Sequence, residues 1–137
     1  MGNNISRNQE QEKIMSCIYS ALVNTLSEDE FSLESLMEGV FGISFEDIPA
    51  FSKRIVVKSL THFDEIKDIY QAKMPTWKFD RLNAVTKSIL LMSYTHFKLE
   101  GDVEKAIVIN TAVVLAKKFL DKDDYKFVNG ILDKVLC

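Results

Sequence analysis

The sequence predicts an all-α protein, a compact bundle of six to seven helices, and three observations carry that reading. Apolar residues recur at spacings of three and four along most of the chain, the period of a helix with one buried face. Only two prolines and five glycines punctuate 137 residues. With 47% hydrophobic and 27% charged residues, the chain has the balance of a folded globular protein. Its length suits one domain, residues 1–137, with residues 1–7 as a flexible arm. No period of 20–50 residues repeats, which excludes a solenoid.

The elements follow in order. The first helix spans about Asn8 to Leu26, with Ile14, Ile18, Ala21, Leu22 and Thr25 on one face. An acidic loop, Ser27-Glu28-Asp29-Glu30, leads to a short helix from about Ser32 to Phe41, and Gly42 suits the left-handed residue that ends it. Ser44 or Asp47 caps a long third helix that tolerates Pro49 in its first turn and reaches Met74-Pro75. Its inward stripe is Ile48, Phe51, Ile55, Ser59, Phe63, Ile66 and Tyr70. The fourth helix, from near Trp77 to Leu99, aligns Leu82, Val85, Ile89, Met92 and His96; Gly101 ends it and Asp102 caps the next. The fifth, Val103 to Phe119, is apolar nearly all round, which predicts a central position. Its β-branched residues also fit a strand, but its length and alanines favour a helix. Asp121 or Asp123 caps the last helix, which turns Tyr125, Val128, Leu132 and Val135 inward.

Motif content argues against several function classes. There is no phosphate-cradling glycine loop, no Gly-x-Ser-x-Gly turn and no His-Glu-x-x-His, and no His/Cys spacing fits zinc. Neither catalysis nor a cofactor or metal is expected. His62 and His96 lack a nucleophile partner, and His96 reads as a hydrogen-bonded core histidine. No apolar run approaches the ~18 residues of a membrane span, and the polar N-terminus has no signal-peptide core. Cys17 lies in an apolar stripe and Cys137 at the end, so a reducing cytoplasm is the simple expectation.

Charge points more positively. The net charge is −3, but residues 1–76 hold seven Lys and Arg against twelve Asp and Glu, whereas residues 77–137 hold ten against eight. An anionic ligand should therefore prefer the C-terminal half. There, Lys117, Lys118, Lys122 and Lys126 interleave with Tyr125 and Phe127. Lysines neutralise phosphates and an exposed ring stacks on an unpaired base; the rival reading is a solvated face that complements a helix C-terminus. Gly130 interrupts a helical pattern, at a cost of ~1 kcal/mol relative to alanine. Either tight packing or the close approach of a ligand would explain it.

Several segments resemble the NusB family of transcription antitermination factors. Trp77-Lys-Phe-Asp-Arg-Leu-Asn-Ala-Val85 with Ile89-Leu90-Leu91 resembles the family's tryptophan, arginine–leucine and "ILR" segment. Ile109 to Phe119 resembles "INEAVELAKKF", Lys126 to Lys134 resembles "KFVNGVLDK", and Tyr19-Ser20 resembles the "LYS" of the first helix. The firm similarity covers residues 77–136. The resemblance implies two three-helix sub-bundles. It implies binding of boxA-type single-stranded RNA from ribosomal RNA leaders, together with the ribosomal protein NusE, in an antitermination complex with RNA polymerase. Carried over, it places Lys87, Lys126, Phe127, Asn129 and Tyr19 at the RNA, with Arg7 and Lys13 in the stretch that corresponds to the basic arm; the lysine cluster read from the residues adds Lys117 and Lys118. Lys87 and Lys126 would contact phosphates, Phe127 would stack, and Asn129 would bond a base edge or pin the helix.

The departures matter. The arginine-rich arm of many members is here Arg7-Asn8-Gln9-Glu10-Gln11-Glu12-Lys13, the "ILR" arginine is Leu91, and two glutamates of the fifth helix are Thr111 and Val114. Fewer arm cations release fewer counterions, so RNA binding should be weaker and less salt-sensitive. The alternative is a NusB-like protein–protein module with weak or lost RNA binding; a homodimer that buries the RNA face is a related reading.

Overall fold

In the computed structural model, residues 6–26 and 32–137 are described, and they form seven α-helices and no strand. The first five residues and the acidic run Glu28 to Glu30 lie outside the described residues.

Helix α1 (Arg7–Leu26) starts one residue earlier than the apolar pattern indicates. Ser6 Oγ accepts from the Gln9 N–H at 3.1 Å, and Gln9 Oε1 accepts from the Ser6 N–H at 2.9 Å. This reciprocal cap satisfies two N–H groups that the helix cannot pair itself. Ile14, Cys17, Ile18 and Ala21 are buried. Thr25, expected inward, is exposed and returns its hydroxyl to the Ala21 carbonyl at 2.9 Å. Helix α2 (Leu33–Phe41) is capped by Ser32 and closed by Gly42, which sits at φ 73° and donates to the Glu38 carbonyl at 2.8 Å. Only glycine adopts that conformation without a steric penalty.

The expected long third helix is in fact two, α3 (Ala50–Thr61) and α4 (Phe63–Ala72), broken at His62. The apolar phase continues across the break, so periodicity alone does not reveal it. The bend lets α3 follow α1 and α5 while α4 follows α5 and α7. Neither Ser44 nor Asp47 caps α3; Phe45–Asp47 forms a 3₁₀ turn and Pro49 occupies the cap position.

Helix α5 (Ala84–Tyr94) begins seven residues after Trp77, because the Asn83 side chain caps it by accepting from the Thr86 N–H at 2.8 Å. It continues as a π-helical turn over Thr95–Glu100, closed by the Gly101 N–H donating to the His96 carbonyl at 3.1 Å. Every residue from Ser88 to Tyr94 is buried, and α5 touches α1, α3, α4, α6 and α7. Its polar groups are satisfied inside: Ser88 donates to the Ala84 carbonyl at 2.7 Å, Tyr70 donates to the Leu90 carbonyl at 2.7 Å, and the Ser59 and Thr95 hydroxyls share a bond at 2.8 Å.

The sequence expectation of a central fifth helix is corrected here. Helix α6 (Lys105–Phe119) buries Val108, Ala112, Leu115 and Ala116 but leaves Ile107 and Val114 about half exposed. Ser88 bonds to its own helix backbone and Thr95, in the turn that follows, bonds to Ser59 of α3, so this segment buries its hydroxyls among neighbours on all sides and takes the centre. Asp102 does not cap α6; Glu104 holds that position. Helix α7 (Asp124–Val135) returns antiparallel to α6, with Lys105 bonded to the Asp133 carbonyl at 2.9 Å. Asp123 holds the cap position of α7, as one of the two expected, but makes no side-chain cap bond; Asp124 instead bonds back across the start of the helix, accepting from the Asp121 N–H at 3.1 Å. Helix α1 gathers α2 and α3, α5 gathers α4, α6 and α7, and the two groups meet along α1 and α5. These are the two sub-bundles.

Candidate nucleic-acid interface

The loop between α4 and α5 is built to hold one tryptophan at the surface. Phe79 is fully buried and stacks on Tyr70 at 6.0 Å, anchoring the loop from below. The Gln71 amide pins it from the side. Its Nε2 donates to the Trp77 carbonyl at 2.7 Å and the Met74 carbonyl at 3.1 Å, and its Oε1 accepts from the Phe79 N–H at 2.8 Å. Lys67 and Asp80 add an exposed ion pair at 2.8 Å. Trp77 itself is 59% exposed. Its ring lies 6.0 Å from that of Phe127 at 57°.

Together these rings line a groove of about 320 Å³ between the loop and α7, edged by Lys73, Lys126 and Lys134 and floored by Met74, Gly130 and Ile131. Lys126 makes a loose contact with Asp123 at 3.6 Å, and both side chains are two-thirds exposed. Such a pair contributes little. Lys73 and Lys134 have no ion pair among the described residues. A Cβ at Gly130 would meet nothing within 4 Å, so tight packing does not explain that glycine.

The other expected site residues spread more widely. Asn129 lies on the opposite flank of α7, in a second groove with Asn110, Tyr125 and Asp133. Lys117 stands over the Tyr125 ring at 4.6 Å. Lys118 pairs with Glu12 of α1 at 2.8 Å, and Lys13 donates to the Val40 carbonyl at 3.3 Å, at the end of α2. Arg7 opens α1, near His96. Tyr19 is 40% exposed on α1. Lys87 lines a separate apolar cavity with Leu22, Phe63 and Asp80. The structure therefore brings Lys126 and Phe127 together and leaves Asn129, Lys87 and the α1 residues apart from them. Sequence reasoning missed Lys73, Lys134 and the role of Gln71; the one available signal was Lys73 and Lys78 flanking Pro75 and an unburied tryptophan.

The shifted titratable groups answer to burial and local ion pairing. Burial pushes the Cys17 thiol up to about 12, opposed by Lys13, and raises Tyr70 and Tyr94. Burial lowers His96, helped by the Arg7 charge and opposed by Glu100. Its ring meets Phe51 edge-on at 5.0 Å and makes no hydrogen bond among the described residues, which replaces the hydrogen-bonded histidine expected. Hydrogen bonds from Lys58 at 2.6 Å and Arg54 at 3.0 Å hold Glu100 below its ordinary range and tie the π turn to α3. Among the described residues, no cluster of His, Cys, Asp and Glu could hold a metal ion, and no helix is long and apolar enough to cross a membrane.

Fold and groove define an all-helical, two-lobed protein in which the α4–α5 loop and the last helix present aromatic rings edged by lysines. The sequence model of the NusB family matches residues 8–136. The transcription antitermination protein NusB of Geobacillus kaustophilus is 30% identical over 131 residues, 96% of this chain and 95% of that one. That of Treponema denticola is 39% identical over 85 residues, 62% of each chain. A crystal structure of the antitermination factors NusB and NusE with double-stranded RNA contains a chain of the same fold. Its TM-score is 0.79 at 22% identity, covering 95% of both chains. The chain belongs to the NusB family.

Proposed function

We propose that this chain is a transcription antitermination factor, a single domain over residues 1–137. It binds boxA-type RNA of ribosomal RNA leaders together with NusE and acts in the cytoplasm within the RNA polymerase antitermination complex. It acts by binding, without catalysis. The observation that carries the reading is the half-buried Phe127 in a surface groove beside Lys126, with neighbouring lysines unpaired. Lysines supply sequence-independent attraction to phosphate, and a ring held by its own packing stacks on a base at low entropic cost. Lys126 and Phe127 form the centre of the site, with Lys117 and Asn129 on its far flank. Arg7 and Tyr19 extend it along α1. Lys13 and Lys118 take part only by leaving Val40 and Glu12, and Lys87 contributes from the separate cavity beside Asp80.

The test is filter binding at about 50 mM salt, with NusE present, comparing boxA-like with scrambled single-stranded RNA. Preference for boxA-like RNA is the expected result, and equal retention of both sinks the proposal. The second reading, a protein–protein module with weakened RNA binding, is favoured by the exposed Ile107 and Val114 on α6 and by the internal engagement of Lys13 and Lys118. It predicts NusE binding indifferent to RNA. A homodimer that covers the RNA face predicts a larger species that RNA dissociates.

A further inference from the structure

We propose that Trp77 is a second stacking surface for bound RNA, holding one unpaired base on its outer face while Lys73 and Lys134 contact the flanking phosphates. The inference rests on the RNA reading above but concerns residues outside the expected site. The geometry sets how the base sits. Stacked planes lie about 3.4 Å apart, so a base sandwiched between two rings needs roughly 6.8 Å between parallel planes. Trp77 and Phe127 have centroids 6.0 Å apart and are tilted by 57°, so no base enters between them. The two rings instead form an angled wall, and the broad exposed face of Trp77 is its open side.

Three features single out an unpaired nucleotide as the occupant. The backbone of Trp77 is held by the Gln71 amide through its carbonyl, so stacking orders no loop. Lys73 and Lys134 flank the groove without acidic partners among the described residues. Gly130 leaves open space where any side chain would narrow the approach. An acidic peptide satisfies the lysines but does not use the face of the indole. A nucleotide uses both, through its π-face and its phosphate.

Trp77 is the only tryptophan in the chain, so its fluorescence reports this position alone. The full chain is titrated with a single-stranded boxA-like oligonucleotide in the presence of NusE. The Trp77→Phe variant serves as the blank for any partner signal. Filter binding runs in parallel on the wild type, Trp77→Ala and Trp77→Phe. Quenching by RNA is expected, with Trp77→Ala weakening binding roughly 5- to 100-fold, the range for loss of one stacked base, and Trp77→Phe retaining most of it. Circular dichroism melting should show both variants folded, since Trp77 is exposed. Undiminished RNA binding by Trp77→Ala without quenching in the wild type overturns the inference and leaves the RNA reading standing. Equal quenching by a polyglutamate peptide overturns it in favour of an acidic peptide partner. No RNA binding by any form overturns both.

Discussion

The cations of helix α1 and those around α7 offer a comparison. Near α1, Lys13 donates to the end of α2, Lys118 of α6 reaches across to Glu12, and Arg7 lies close enough to His96 to disfavour its protonation. Around α7, Lys73 and Lys134 have no acidic partner among the described residues and Lys126 has only a loose one. Similar side chains hold the fold together in one region and remain available in the other. A count of lysines along the sequence does not separate these roles; the position of acids and carbonyls in the folded chain does.

The largest expected effect tests what the available region stands on. Phe79→Ala removes a fully buried ring stacked on Tyr70 and should destabilise the protein by about 3–5 kcal/mol. Urea unfolding monitored by circular dichroism checks it. A change below ~1 kcal/mol would mean that the Trp77 loop is not anchored from below. Gln71→Ala is milder. It removes three hydrogen bonds but leaves the exposed loop ends open to water, for a loss of about 1–3 kcal/mol with Trp77 emission shifted by loop motion.

The next experiment compares the two cation sets directly. Lys126→Ala should lower RNA affinity and flatten its dependence on salt by about 0.7 in log–log slope, the share of one phosphate contact on a single strand. Lys118→Ala should leave that slope unchanged and cost at most ~1 kcal/mol of stability through the exposed pair with Glu12. Equal slope changes for the two variants would erase the distinction between the regions.

The fold was legible wherever apolar period and caps agreed. Gly42 and the inward faces of α1, α5 and α7 stand largely as the pattern indicates. The break at His62 was not legible, because the apolar phase runs through it, nor was the peripheral place of α6, because burial depends on neighbours and not on a helix's own hydrophobicity. For the site, the resemblance pointed to Lys126 and Phe127, which share one groove. Asn129 is two residues from Phe127, a spacing that puts two side chains on opposite sides of a helix, and it lines the groove on the other flank of α7. Lys73 and Lys134 are 61 positions apart and converge only through the packing of α4 on α7.

Gly130 allows a test in which stability and binding move in opposite directions. A methyl group there meets nothing within 4 Å, and alanine is the better helix former. Gly130→Ala should therefore stabilise the fold by up to ~1 kcal/mol in thermal melts while weakening RNA binding by crowding the groove. Stabilisation with unchanged affinity would show that no ligand comes close to this backbone.

The smallest effect lies on the α1 side. Burial, then the Arg7 charge, holds the folded-state pKa of His96 below its ordinary 6.5. Below that value the unfolded chain binds a proton that the folded chain resists, so stability is fully present above pH 6.5 and declines as pH falls beneath it. Arg7→Gln removes the secondary cause while leaving burial in place. The His96 titration followed by NMR should then move up toward its ordinary value but stay below it, because burial, the larger cause, remains. The acid-side loss of stability should narrow with it. A midpoint unmoved by Arg7→Gln would mean that Arg7 does not act on the folded chain and is instead free for a ligand, which would erase the contrast between the two regions at its N-terminal end.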